Sequence, residues 1–324
     1  MAKGSQVKNG KAFEFALANE YYKKLSSMGL NVELIEDSSL QVDKGFYNEF
    51  PLEEQKRFNS AAIGTIDTML KIEPGLTSQQ DEKDKLTIRL AKDSEGQSGD
   101  VRDIIFTRPS SKWEMGFSAK NNNEAVKHSR LSEVLDFGQQ WLGVHCSQEY
   151  WNDIKPIFKY IDDKIAENKN AEWKDLGTDK DELIYKPVLS AFRKELLKIN
   201  KENNSIPAKL ISYLIGNKPF YKIIKIDSAN LVVVKAFNIG GKLNKSVNGV
   251  KSRYKVEKIN LPTRIVEFEF KKDSTTTLVM ILDGGWSVSF RLHNAETKLV
   301  HSLKFDVQLT GNPPVLFSQY LFQE

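Results

Sequence analysis

From Gly99 the chain reads Gly-Asp-Val-Arg-Asp-Ile-Ile-Phe, and from Trp113 it reads Trp-Glu-Met-Gly-Phe-Ser-Ala-Lys. An acidic residue opens an apolar strand, and a lysine closes the next one. Phosphodiester cleavage has a use for that pair. A carboxylate at a strand can hold a hard divalent cation through oxygen. The cation offsets charge on the transition state and lowers the pKa of a bound water. An ammonium can position that water and neutralise the phosphate. Two aspartates compete for the role. If the hairpin folds about Ser110 and Ser111, Asp103 faces Ser118, and alternation puts Ser118 and Lys120 on the face of Asp103. Asp100 then points away. A bulge would exchange the two, so Asp103 is the first candidate and Asp100 the second. Such pairs also arise by chance. The sharper signal is a charge beside the continuous apolar run Ile104-Ile105-Phe106, which needs a physical reason.

The elements that must hold this pair follow from periodicity. Phe13, Leu17 and Tyr21 recur every four residues, so 10–27 reads as a helix. Residues 51–76 read as a second helical stretch, with Pro51 near its start and Pro74-Gly75 after it. Leu86, Ile88 and Leu90 alternate with Thr87, Arg89 and Ala91, a strand pattern. With 101–107 and 113–120 this gives an antiparallel meander. A helix-like stretch is expected over 132–142, amphipathic helices over 149–167 and 181–203, and a short one over 207–215. Beyond Gly216 the chain turns strand-rich, with strands expected at 220–226, 231–237, 264–270, 277–282, 286–292 and 304–309. The expected fold class is α/β (α+β), a mixed β-sheet core flanked by helices. Residues 1–215 would form the core with a helical region, and 216–324 a separate strand-rich region.

The 324 residues carry 28% charged and 40% hydrophobic side chains, which suits a globular chain with a sizeable core rather than a disordered one. Cys146 is the single cysteine, so neither an internal disulfide nor a cysteine zinc cluster can form. The polar N-terminus lacks an apolar signal region, and no apolar run is long enough to span a membrane; a cytoplasmic location is expected. A net charge of +4 permits a nucleic-acid partner without arguing for one. Phosphate loops and dinucleotide glycine motifs are missing, so nucleotide hydrolysis is not suggested. Trp141, Trp151, Trp173, Phe158 and Tyr160 lie on helical patterns and read as core.

The hairpin resembles the restriction-endonuclease fold, whose motif is Pro-Asp followed by Asp/Glu-X-Lys. More closely, the chain resembles the HaeIII family of type II restriction endonucleases. Three stretches carry this: residues 10–16; residues 99–106 with 117–132; and residues 286–294 continuing through 302–306. The runs Ser118-Ala119-Lys120-Asn121-Asn122 and Ser289-Phe290-Arg291-Leu292-His293-Asn294-Ala295 are the most specific. The resemblance implies magnesium-dependent cleavage of the palindrome GGCC with blunt ends, and a DNA methyltransferase partner that protects host DNA. A two-fold palindrome further implies a homodimer. One departure stands out: Ser118 occupies the position of the motif's carboxylate. The Ala119 carbonyl could still ligate a hard cation. Glu14 on the first helix could supply the missing carboxylate, or it could be a solvated helix-face charge.

DNA contacts are expected from Asn121, Asn122, Asn123, Lys127, His128 and Arg130, which follow the catalytic strand, and from Arg291, His293 and Asn294 at the end of a later strand. The plain alternatives are a polar helix-capping loop for the first group and satisfied buried residues for the second. Lys242, Lys245, Lys251, Arg253 and Lys255 form a basic loop suited to phosphate. Two rival functions are a repair or mobile-element nuclease of the same fold and a DNA-binding protein without catalysis, the latter favoured by Ser118.

Overall fold

A computed structural model describes residues 3–92, 99–122, 124, 126, 129–294 and 296–322. The chain opens with α1 (Lys3–Ser27), β1 (Val32–Leu34), α2 (Ser38–Glu49) and α3 (Leu52–Ile72). The meander follows as β2 (Leu86–Leu90), β3 (Ile104–Arg108) and β4 (Trp113–Asn121). After β5 (Arg130–Ser132) come α4 (Gln148–Glu167), α5 (Lys186–Glu202) and α6 (Ile206–Ile215). The remainder is β6 (Phe220–Ile226), β7 (Leu231–Phe237), β8 (Ile265–Phe270), β9 (Thr277–Leu282), β10 (Ser287–Asn294), β11 (Ser302–Gly311) and β12 (Ser318–Phe322). Among the described residues, no helix is long and apolar enough to cross a membrane.

The chain divides into two compact units, each discontinuous in sequence. The first comprises 1–124, 217–260 and 315–324, and the second 125–216 and 261–314. The chain does cross between units next to residue 215, where the strand-rich region begins. That region, however, is shared: β6, β7 and β12 join the meander's sheet, while β8 to β11 belong to the second unit.

The first unit is built on a mixed seven-stranded sheet in the order β1-β2-β3-β4-β6-β7-β12. The meander pairs antiparallel as its alternation predicts, and β4 then pairs parallel with β6. Helices α1 to α3 pack on this sheet. Phe13, Leu17 and Tyr21, the predicted stripe of α1, are fully buried. The Tyr21 ring meets Phe106 and Phe117 edge-on, with centroids 5.5 and 5.1 Å away, and its hydroxyl lies 2.9 Å from Thr65 Oγ1 on α3. Burying an aromatic of this size against two others anchors α1 over the middle of β3 and β4. A loop over 238–260 is latched onto the same unit. Asn244 donates to the Ile72 and Tyr254 carbonyls, and Asn248 donates to that of Ser78.

The second unit has a five-stranded antiparallel sheet, β5-β11-β10-β9-β8. Its apolar face packs on helices through Phe192, whose ring lies 5.2 to 6.0 Å from Phe268, Phe290 and Phe305. The helix expected over 132–142 reduces to a π-helical turn at Gly138–Leu142, because Arg130–Ser132 is drawn into β5. Sequence reading also passed over β1, α2 and β12. All three are short or weakly amphipathic and gain their stability from tertiary pairing.

Candidate active site

The site sits where β3 begins and β4 ends. The ladder runs to Ile104–Phe117, and the amide of Asp103 donates to the Phe117 carbonyl at 2.7 Å. One step beyond, three donors converge on a single carboxylate oxygen, Asp103 Oδ2. They are the Ala119 amide at 2.7 Å, the Lys120 ammonium at 3.2 Å and the Ser118 hydroxyl at 3.3 Å. Asp103 and Lys120 keep about a quarter of their side chains accessible, while Ser118 is buried. The geometry therefore supplies a fixed carboxylate at the surface end of a rigid ladder, with an ammonium beside it.

Asp100 is used otherwise. It is buried and grips Arg102 bidentately, Nε at 2.8 Å and Nη2 at 2.7 Å, with Lys218 at 3.1 Å on the same oxygen as Nη2. Burial alone would raise its pKa, but the bonds from Arg102 and Lys218 outweigh it and hold the carboxyl down at about 2. The Arg102 stem lies flat on Gly116, where a Cβ would come within 2.4 Å of Arg102 Cδ. This ion pair is a fixture of the strand entry, and it leaves Asp103 as the carboxylate beside Lys120.

Glu14 is not a solvated helix-face charge. It stands three residues before Leu17 and seven before Tyr21, on the buried stripe of α1, and is 7% exposed. Lys11 bonds it at 3.0 Å and also approaches Asp43, 3.9 Å away. Its pKa is raised well above the usual carboxylate range, first by burial and then by the negative charge of Asp103. The charge of Asp103 is thus felt at Glu14. Among the described residues, no three His, Cys, Asp or Glu side chains form a ready metal cage.

Sequence reasoning missed two lysines here. Ser118 is aligned with Lys222 on β6, and Lys222 with Lys235 on β7, so the row from Asp103 through Ser118 continues as two cations. Both are buried. Lys222 donates to the Glu124 carbonyl at 2.7 Å and Lys235 to the Glu124 carboxylate at 2.6 Å. Burial, then the neighbouring Lys120 charge, pushes Lys222 down to about 7. The signal was available: a lysine within Phe220–Ile226 poses the same burial conflict that singled out Asp103.

The DNA-contact candidates fall in different places. Asn121 ends β4 opposite Lys225. Asn122, in a left-handed conformation, commits its amide to Asp227 both as donor and as acceptor. Asn123, Lys127 and His128 lie outside the described residues. In the second unit, Arg130 starts β5 and donates to Ser302 Oγ at 3.0 Å. Arg291 projects from β10 with 59% of its side chain exposed, 3.9 Å from Asp306. His293 Nδ1 lies 2.8 Å from the Asn294 carbonyl, and Asn294 is taken up by Tyr185 and the Glu296 carbonyl. Of the basic loop, Lys245, Lys251 and Lys255 line a cavity of about 470 Å³, with Asn238 and Asn244 in its wall.

The family model for the HaeIII restriction endonuclease matches residues 10–313. The type II restriction enzyme HaeIII of Haemophilus aegyptius is 37% identical over 309 residues, covering 95% of each chain. No solved structure matches. The match spans every residue of the Asp103 site and nearly the whole chain, and the chain belongs to the HaeIII restriction endonuclease family, type II site-specific deoxyribonucleases.

Proposed function

We propose that this enzyme cuts both strands of duplex DNA at GGCC, leaving blunt ends, with magnesium held at Asp103. The observation that carries the reading is the convergence of Ser118, Ala119 and Lys120 on one oxygen of Asp103. All three meet Oδ2, which leaves Oδ1 as the oxygen to face a cation. In an extended strand a residue's N–H and C=O point to the same side. The Ala119 carbonyl therefore lies on the Asp103 side of β4 and suits a hard cation. Glu14 adds a second carboxylate, a buried one, whose protonation bias comes partly from Asp103, the electrostatic setting in which a dication is favourable. Magnesium keeps several waters and needs only one or two carboxylates, which Asp103 with Glu14 would supply.

When bound, the ion offsets charge on the phosphoryl oxygens and acidifies its water. Lys120, held at Asp103, orients the attacking water and neutralises the scissile phosphate. Ser118 fixes the Asp103 rotamer in place of the motif's second carboxylate, and Glu14 takes over the missing negative charge. Asp100 serves through Arg102 by bracing the strand. Two copies related by two-fold symmetry would match the palindrome and cut both strands. A methyltransferase of the same site specificity would protect host DNA. Arg130, Arg291 and His293 serve recognition, with Asn121, Asn122 and Asn294 at or next to strand ends; Asn123, Lys127 and His128, outside the described residues, belong to the same proposed set of DNA contacts.

Mapping cut ends on a plasmid with magnesium tests this. Blunt ends confined to GGCC are expected. Scattered ends would favour a structure-specific nuclease, and intact DNA with retained binding would favour a non-catalytic binding protein.

A further inference from the structure

Among the described residues, the two faces of the second unit's sheet differ in burial. Along β10, Val288, Phe290 and Leu292 are buried, while Ser289, Arg291 and His293 alternate to the other side. Along β11, Leu303, Phe305 and Val307 are buried, and Lys304, Asp306 and Gln308 alternate outward. The register joins these residues across the strands. Arg291 stands opposite Asp306 and His293 opposite Lys304, and Lys304 in turn stands opposite Arg130 on β5.

We propose that this polar face is the base-reading surface, and that Arg130, Arg291 and Lys304 read guanines while Asp306 and His293 receive the cytosine amino group. The proposal rests on the reading of the enzyme as a GGCC nuclease and names the residues that give it that sequence.

The donors and acceptors fit G·C pairs. In the major groove guanine offers two acceptors, O6 and N7, which the rigid arginine fork meets as a pair and a lysine ammonium meets as a point charge, and cytosine offers one donor, N4. Carboxylates take that donor. So does His293. The Asn294 carbonyl can only accept, so in the neutral ring Nδ1 carries the proton and Nε2 is left as an acceptor. The three strands also fit by size. At roughly 4.8 Å between neighbours, the row Arg130–Lys304–His293 spans about 10 Å, against a groove about 12 Å wide. The charge is complementary. Arg130, Lys304 and Arg291 outweigh Asp306 on these strands; the acids of the far edge strand, Glu267 and Glu269, stand two strands beyond β10, and Glu269 is paired with Arg193. Arg130, Lys304 and Asp306 carried no weight together in the sequence, because 130 and 304 are adjacent only through the β5–β11 pairing.

The test compares Arg130→Gln, Arg291→Gln, Lys304→Gln and the charge-conserving Arg291→Lys. Cleavage is measured on GGCC duplexes and on duplexes carrying one substituted base pair, and binding is measured against salt. A melting curve identifies any variant that fails to fold, and Arg291→Lys then carries the test, since it keeps the charge but loses the fork. Loss of a bidentate base contact is expected to cut kcat/KM on GGCC by about 5- to 150-fold. Substituted sites should be affected far less, so that discrimination collapses while the salt slope holds. A uniform loss across all sequences, with the salt slope falling by about 1 per variant, would make these residues phosphate contacts and overturn the proposal. Unchanged discrimination would overturn it too. Wild-type enzyme that cuts DNA without regard to GGCC would instead overturn the functional reading on which the proposal stands.

Discussion

Ser118 lies beside Lys222 in the parallel ladder that joins β4 to β6. The sheet thus sets a buried cation one strand away from the Asp103–Lys120 pair, on the side opposite β3. Lys222 is pushed down to about 7, mainly by burial. An unfolded chain holds more protons on this lysine than the folded one between pH 7 and its ordinary value of 10.5. Its contribution to stability therefore rises across that window as pH increases. Denaturant unfolding at pH 7 and pH 9.5 should show Lys222→Met gaining stability at pH 7, by a few kcal/mol at most, and lacking this rise. Parallel pH profiles for variant and wild type would contradict the assignment.

Glu73 gives the opposite sign. It is fully buried and accepts bonds from Tyr221, the Asn244 amide and Trp113, and burial raises its pKa to about 7. The folded state holds the extra proton between pH 4.5 and 7, so this group's contribution to stability falls as pH rises through that range. Glu73→Gln should flatten that part of the stability profile. Because Glu73 ties the 238–260 loop to β6 and β4, the variant should also lose about 1–3 kcal/mol from imperfect pairing. A wild-type slope in the variant would refute the claim.

The two aspartates separate by what each substitution harms. Asp103→Asn should leave the melting temperature near that of wild type and remove cleavage. Asp100→Asn should retain cleavage per folded molecule but lower stability by about 3 kcal/mol, because it breaks a buried pair and strands Arg102. Calorimetry with single-turnover cleavage decides, and a reversed pattern would exchange their roles.

Lys120→Ala should reduce cleavage at least ~100-fold and change duplex affinity by less than about tenfold, since the interaction counts mainly in the transition state. A filter-binding assay beside a cleavage time course checks both numbers. Retained turnover would sink the role.

Glu14→Gln bears on the carboxylate that Ser118 does not provide. The variant is expected to need more magnesium and to recover partly as magnesium is raised. Ser118→Ala, which loses one 3.3 Å bond, should stay within about tenfold of wild type. A magnesium titration showing the same half-saturation for Glu14→Gln and wild type would exclude Glu14 from the metal environment.

Much of the site was legible because it is local. The turn at Ser110 and Ser111 sets the register, and the register brings Asp103 to Ser118 and Lys120 by counting alone. The α1 stripe was legible too, and Glu14 could have been read from it, since its spacing to Leu17 and Tyr21 is helical. A lysine inside an apolar strand marked Lys222 locally, but its place beside Ser118 and Glu124 was not legible, because the β4–β6 pairing spans about a hundred residues and no local pattern encodes it. The same holds for β12, which pairs with β7, and for the row Arg130–Lys304–His293. The type of Asn122 was legible, but its left-handed backbone and its bonds to Asp227, 105 residues away, were not.

The discontinuity of the first unit has a temporal meaning. Asp103 and Lys120 leave the ribosome while β6 is still unmade, and the second unit's 125–216 segment must be synthesised before Lys222 appears. At about 5–20 residues per second, that interval lasts roughly 5–20 s. During it β4 is an open edge, and the lysines that steady Glu124 are missing. The sheet that carries the Asp103–Lys120 pair is therefore completed only after the intervening segment has been made.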